Sequence, residues 1–74
     1  MASYNGHRSW NAWNVSLWIN NDEGIYHYAV DLVKRHGRRR AARIMSNDMA
    51  GEKTPDGARY NLTCIYEALD GIND

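Results

Sequence analysis

The sequence predicts an all-α protein, a compact bundle of three to four short helices. Three observations carry this expectation. Apolar residues recur at helical spacing in two clear segments: Ile25, Tyr28, Ala29, Leu32 and Val33, then Leu62, Ile65, Tyr66 and Leu69. No segment alternates apolar and polar residues over the length of a strand. Between the periodic segments stand helix-ending and turn-forming residues, among them Asn20-Asn21, Gly37 and Thr54-Pro55-Asp56-Gly57.

Residues 1–8 are polar, with Asn5-Gly6 as a turn signal, and read as an N-terminal arm pinned by Tyr4. Ser9 is the N-cap candidate for a first helix over residues 9–20. Trp10, Trp13 and Leu17 fall at i, i+3 and i+7 on one face of it, widened by Val15 and Trp18. Asn20-Asn21 ends this helix and caps the next. A second helix, 22–36, opens with Asp22 and Glu23 at the positive end of its dipole and closes with Lys34, Arg35 and His36 before Gly37. A third is expected over 38–49, with Ala41, Ile44, Met45 and Met49 as a narrow apolar stripe. Helices two and three also read as one helix through Gly37, because a mid-helix glycine costs only ~1 kcal/mol relative to alanine. The last helix is placed at 59–70, ended by Gly71.

All 74 residues are read as one domain. A chain this short buries a core only with large side chains well placed. Trp10, Trp13 and Trp18 are therefore expected to anchor it. The expected core is Trp13, Leu17, Ile25, Leu32, Val33, Ile44, Leu62, Ile65 and Leu69. The small size is also compatible with a homodimer, whose seam adds buried surface.

Composition narrows the function classes. With 43% hydrophobic residues, three Trp and five Tyr, the chain is not disordered by composition. Nine basic residues against nine acidic ones argue against an acidic DNA mimic and against a histone-like protein. A single Cys leaves no intramolecular disulfide and no multi-cysteine metal cluster. The opening MASYNGHRSW lacks the apolar stretch of a secretory signal, and no run reaches the ~18 apolar residues of a membrane span. A cytoplasmic, reduced protein with no membrane contact is the expectation.

The zero net charge conceals a polar distribution. Residues 34–43 hold Lys34, Arg35, Arg38, Arg39, Arg40 and Arg43 without an acid, a charge of +6. The segment before carries −2 and the segment after −4. Guanidinium groups grip phosphate or carboxylate bidentately, so these six residues form the candidate partner-binding site. The competing reading is a solvated helix end that complements a dipole. No aromatic residue is interleaved, so base stacking is unsupported. A helix-turn-helix reading is a weak signal, because the turn at His36-Gly37 is short and the arginine-rich segment begins the second helix directly.

Catalytic signals are missing. His7, His27 and His36 are scattered, with no HExxH-type spacing, and there is no glycine-rich phosphate loop. Cys64 reads as a small buried core residue. No cofactor, no metal and no catalytic residue is expected.

One stretch is more specific. Tyr4-Asn5-Gly6 is followed after six residues by Trp13-Asn14-Val15 and then Leu17-Trp18-Ile19-Asn20-Asn21-Asp22-Glu23-Gly24. It resembles a family of small proteins from phages and mobile elements, whose pattern reads YNG, six residues, WNVALWIDN. Thr54-Pro55-Asp56-Gly57 and the helix after it are similar to later parts of such proteins. Ala12 stands where that pattern commonly has Thr, and His7 where it commonly has Trp. The family has no assigned activity, so the resemblance implies origin rather than mechanism. The arginine-rich segment lies outside the shared motif and is the natural place for a specialised role.

These readings lead to a non-enzymatic binding protein of phage or mobile-element origin. Its expected partner is a larger host protein or ribonucleoprotein complex in the bacterial cytoplasm, inhibited in the manner of an anti-CRISPR protein by occupation of its surface. Two alternatives stand beside this: a small DNA- or RNA-binding regulator using residues 34–43, and an accessory or structural phage protein.

Overall fold

Ser9 opens the first helix as its spacing foretells: the hydroxyl accepts from the Ala12 amide at 3.1 Å, and α1 runs over Trp10–Asn21. In this computed structural model the described residues are 9–72. The arm assigned to residues 1–8, with Tyr4, lies outside them.

One residue makes the next corner. The Asp22 amide donates to Trp18 carbonyl oxygen, ending α1, while its carboxylate accepts from the Ile25 amide at 3.0 Å and starts α2, Glu23–His36. Asp22 is thus the cap that the sequence reading gave to Asn20-Asn21. Gly37 separates α2 from α3, Arg38–Asp48. Its φ of 84° lies in the region that only glycine adopts cheaply, so the two helices cannot run on as one. Tyr28 of α2 ties the pair together by donating its hydroxyl to the Asp48 carboxylate. That bond first, then burial and the Asp48 charge, push its pKa up to about 12.

The chain then turns back over residues 49–61. Lys53 and Arg59 form an antiparallel bridge, and inside it the Thr54 amide donates to Ala58 carbonyl oxygen at 2.8 Å. The last helix, α4, spans only Leu62–Ala68, with the Asn61 side chain accepting from the Cys64 amide at 2.9 Å. It begins three positions later than the expected start at residue 59, at the first residue of its apolar spacing, because the Arg59 backbone is bonded to Asn11. It ends before residue 70, and turns follow it.

The four helices are arranged as a square. α1 packs on α2, α2 on α3, α3 on α4 and α4 on α1, while neither diagonal pair meets. The buried centre includes Val15, Ile19, Leu32, Met45, Ile65 and Leu69 together with six alanines, at 12, 29, 41, 42, 58 and 68. Alanines at the contacts let helices approach closely, which is how this short chain closes a core around aliphatic side chains and Met45 without its tryptophans.

This corrects the expected core. Trp10 is 40% exposed and Leu62 is 44% exposed. Trp13, Leu17 and Trp18 are half-buried. Ile25, Val33 and Ile44 sit at the margin of the core, and Leu32, Ile65 and Leu69 are in it. The physical reason lies in α1, where three stripes share one spacing. Residues 10, 13 and 17, residues 11, 14 and 18, and residues 12, 15 and 19 all fall at i, i+3 and i+7. Each stripe is turned about 100° from the last. The protein buries the third, Ala12, Val15 and Ile19, rather than the first with its two tryptophans.

The middle stripe holds the loop. Asn11 pairs its amide with the Arg59 backbone, donating to the carbonyl at 2.9 Å and accepting from the N–H at 2.8 Å. Its amino group also lies 3.2 Å from Cys64 Sγ. Asn14, 1% exposed, accepts from the Thr54 hydroxyl and donates to Asp56 Oδ2 at 2.9 Å. Trp18 Nε1 donates to the same oxygen at 2.9 Å. The Thr54 hydroxyl in turn accepts from the Ala58 amide at 3.0 Å. Asn14 and Thr54 are the buried polar residues, and no buried side-chain polar atom among the described residues lacks a partner.

Candidate partner-binding face

The six cations of residues 34–43 do not act alike. Arg35 is used within α2, its Nε 3.2 Å from the Asp31 carboxylate one turn back. Arg38 is used across helices. Its Nε donates to Tyr66 carbonyl oxygen at 2.9 Å, its guanidinium lies 3.8 Å from the centre of the Tyr66 ring, and Nη1 approaches Asp70 at 3.8 Å. Arg38 therefore pins the end of α4 to the start of α3. Half-buried and in contact with two residues of the fold, Tyr66 and Asp70, Arg38 has less of its charge open to a partner than the other cations of the run. Lys34, Arg39, Arg40 and Arg43 are exposed and make no hydrogen bond or ion pair among the described residues.

α3 directs these groups by its own amphipathic pattern. Ala41, Ala42 and Met45 face the core. Arg39 and Arg43, one turn apart, project on the far side, with Arg40 beside them. The local field is more positive than the side chains alone make it. Gly37 supplies no side-chain cap, so the first amides of α3 stay without an intrahelical acceptor at the positive end of the dipole. Three arginines in this turn oppose the dipole, an arrangement that folding by itself does not favour.

Two concavities meet along Arg39 and Arg43. One, about 320 Å³, lies between α3 and α4 and is lined by Arg39, Arg43, Leu62, Thr63 and Tyr66. The other, about 440 Å³, is lined by His36, Arg39, Arg40 and Arg43. His36 is exposed there. Leu62, Thr63 and Tyr66 were not expected in a site. Leu62 repeats the core spacing of α4, yet it stands at the helix's first position, beside the Asn61 cap, where the core has not begun. The signal was the cap, which moves the helix start from 59 to 62.

Elsewhere, burial and then the charges of Asp22 and Glu52 raise the Tyr60 pKa. The bonds from Asn14 and then Trp18 hold the Asp56 carboxyl below the usual aspartate value. Cys64 is free and buried. Among the described residues no three His, Cys, Asp or Glu side chains gather at one point, and no helix is long and apolar enough to cross a membrane.

The fold and face together define a small four-helix domain with one cationic side beside an apolar groove. The chain belongs to a family of unknown function, DUF7249, whose model matches residues 1–74. No curated protein matches it, and no solved structure does.

Proposed function

We propose that this is a non-enzymatic binding protein whose outer α3 face, Arg39, Arg40 and Arg43, meets an acidic surface on a larger protein. One observation carries the reading: these three arginines make no hydrogen bond or ion pair among the described residues and share a face, while Arg35 and Arg38 in the same run are engaged. Solvated charges on a folded domain cost little, but Arg39 and Arg40 stand against the helix dipole in the first turn of α3 and, with Arg43 one turn on, raise the potential there, which steers an anionic partner. The apolar wall of Leu62 beside them favours a protein surface, because a phosphate backbone offers no apolar group to meet it. Resemblance to small phage proteins supplies the biological form of the proposal. The protein occupies a surface on a host defence complex, of which a CRISPR effector is the first to test.

The test pairs capture with folding. Arg39→Glu combined with Arg43→Glu should abolish capture of the partner, or inhibition of the effector, by turning each attraction into repulsion. Helicity by circular dichroism should remain. Binding that survives the double reversal sinks the reading. Binding of duplex DNA that weakens steeply with salt would move the assignment to a nucleic-acid regulator.

A further inference from the structure

Resting on that reading, we infer that the groove between α3 and α4 receives one large apolar side chain of the partner, with carboxylates on either side of it held by Arg39 and Arg43. The partner segment is thus acidic with a single apolar anchor. Leu62 is the most exposed of the large hydrophobic residues described, ahead of Trp10 and Tyr26, and it forms one wall of this groove. At 44% exposure, a large part of the Leu62 side chain stays open to water at the helix start and can still be covered by a partner. The opposite wall carries the two arginines. At about 320 Å³ the groove has room for a large apolar side chain and stands at the low end of ligand-site volumes.

The groove is also prepared in advance. Tyr66 is fixed before anything binds, because Arg38 lies 3.8 Å from its ring centre and donates to its carbonyl. An aromatic wall already held in place loses little freedom on binding, the property that separates an interface anchor pocket from a passing contact. Charge selects the flanks. Two guanidinium groups one helical turn apart, with no acid in the groove lining, favour carboxylates on both sides of the anchor.

The probes are three short peptides blocked at both ends, each of Glu residues around one central position occupied by Leu, Ala or Glu. They are titrated into the full chain and followed by backbone amide shifts. The Leu peptide should bind about tenfold more tightly than the Ala peptide, with the largest shifts at Arg39, Arg43, Leu62, Thr63 and Tyr66. Leu62→Gln, a change at an exposed position, should erase the Leu preference, so that the Leu and Ala peptides bind alike, while helicity by circular dichroism is retained. Arg39→Glu with Arg43→Glu should remove binding of all three. Equal affinity for Leu and Ala peptides overturns the groove and leaves the cationic face standing. Absence of shifts with every peptide also overturns it, and capture of the partner by the unmodified chain then decides the wider reading separately. A duplex oligonucleotide that shifts the same residues at lower concentration than any peptide overturns both.

Discussion

Asp56 shows how much one exposed carboxylate can organise. A single oxygen accepts from Asn14 and from Trp18, and so fixes the loop against α1. Both bonds favour the ionised form, which lowers its pKa from the ordinary value of 3.8. With the folded value depressed, the stabilisation is complete above the unfolded value and is lost as pH falls through the folded one. Urea unfolding followed below about pH 5 should therefore show an acid limb that flattens in Asp56→Asn. The asparagine carbonyl still accepts both bonds at neutral pH, so that variant stays folded there. Asn14→Ala is more damaging, because it strands the buried Thr54 hydroxyl, at a cost of about 1–3 kcal/mol. An acid limb unchanged by Asp56→Asn would show that other carboxylates set it.

At the scale of elements, α1 and α3 teach different lessons about reading a sequence. α2 was legible because its spacing, its acidic start, its basic end and Gly37 all agree. The sequence leaves open whether α3 is separate from α2, and the positive φ of Gly37 decides that it is. The division of labour within the arginine run was not legible, since Asp31, Tyr66 and Asp70 become partners only through geometry. α1 misled because three stripes have one spacing, and side-chain size was used to choose among them. Close helix packing favours the smallest stripe, and the tryptophans then serve at the edge, Trp18 through its N–H. The ranking of variants follows from this and runs against size. Ala12→Leu overfills a contact with no exposed surface and should cost about 1–3 kcal/mol or more, whereas Trp10→Ala, at a position 40% exposed, should cost less. Thermal unfolding of the two variants side by side checks the order. A larger loss from Trp10→Ala would restore the tryptophan stripe as the core.

For the molecule as a whole, the square of helices is closed by bonds between its two ends. The contacts of Asn11, Asn14 and Trp18 with Asp56, Arg59 and Cys64 span 38 to 53 positions of sequence. The helix made first during synthesis is thus the one finished last. While the ribosome is still adding residues beyond α3, α1 has its own hydrogen bonds and its corner with α2, yet the polar stripe that locks it has no counterpart. Asparagine-rich and short, α1 has little intrinsic helicity to hold it through that interval. A chain cut after residue 50 should therefore protect amides of α2 and leave those of α1 exchanging freely, and protection of α1 in that fragment would refute the ordering. Native topology in this protein is a late event, decided when the turn around Asp56 comes off the production line and finds the asparagines already waiting.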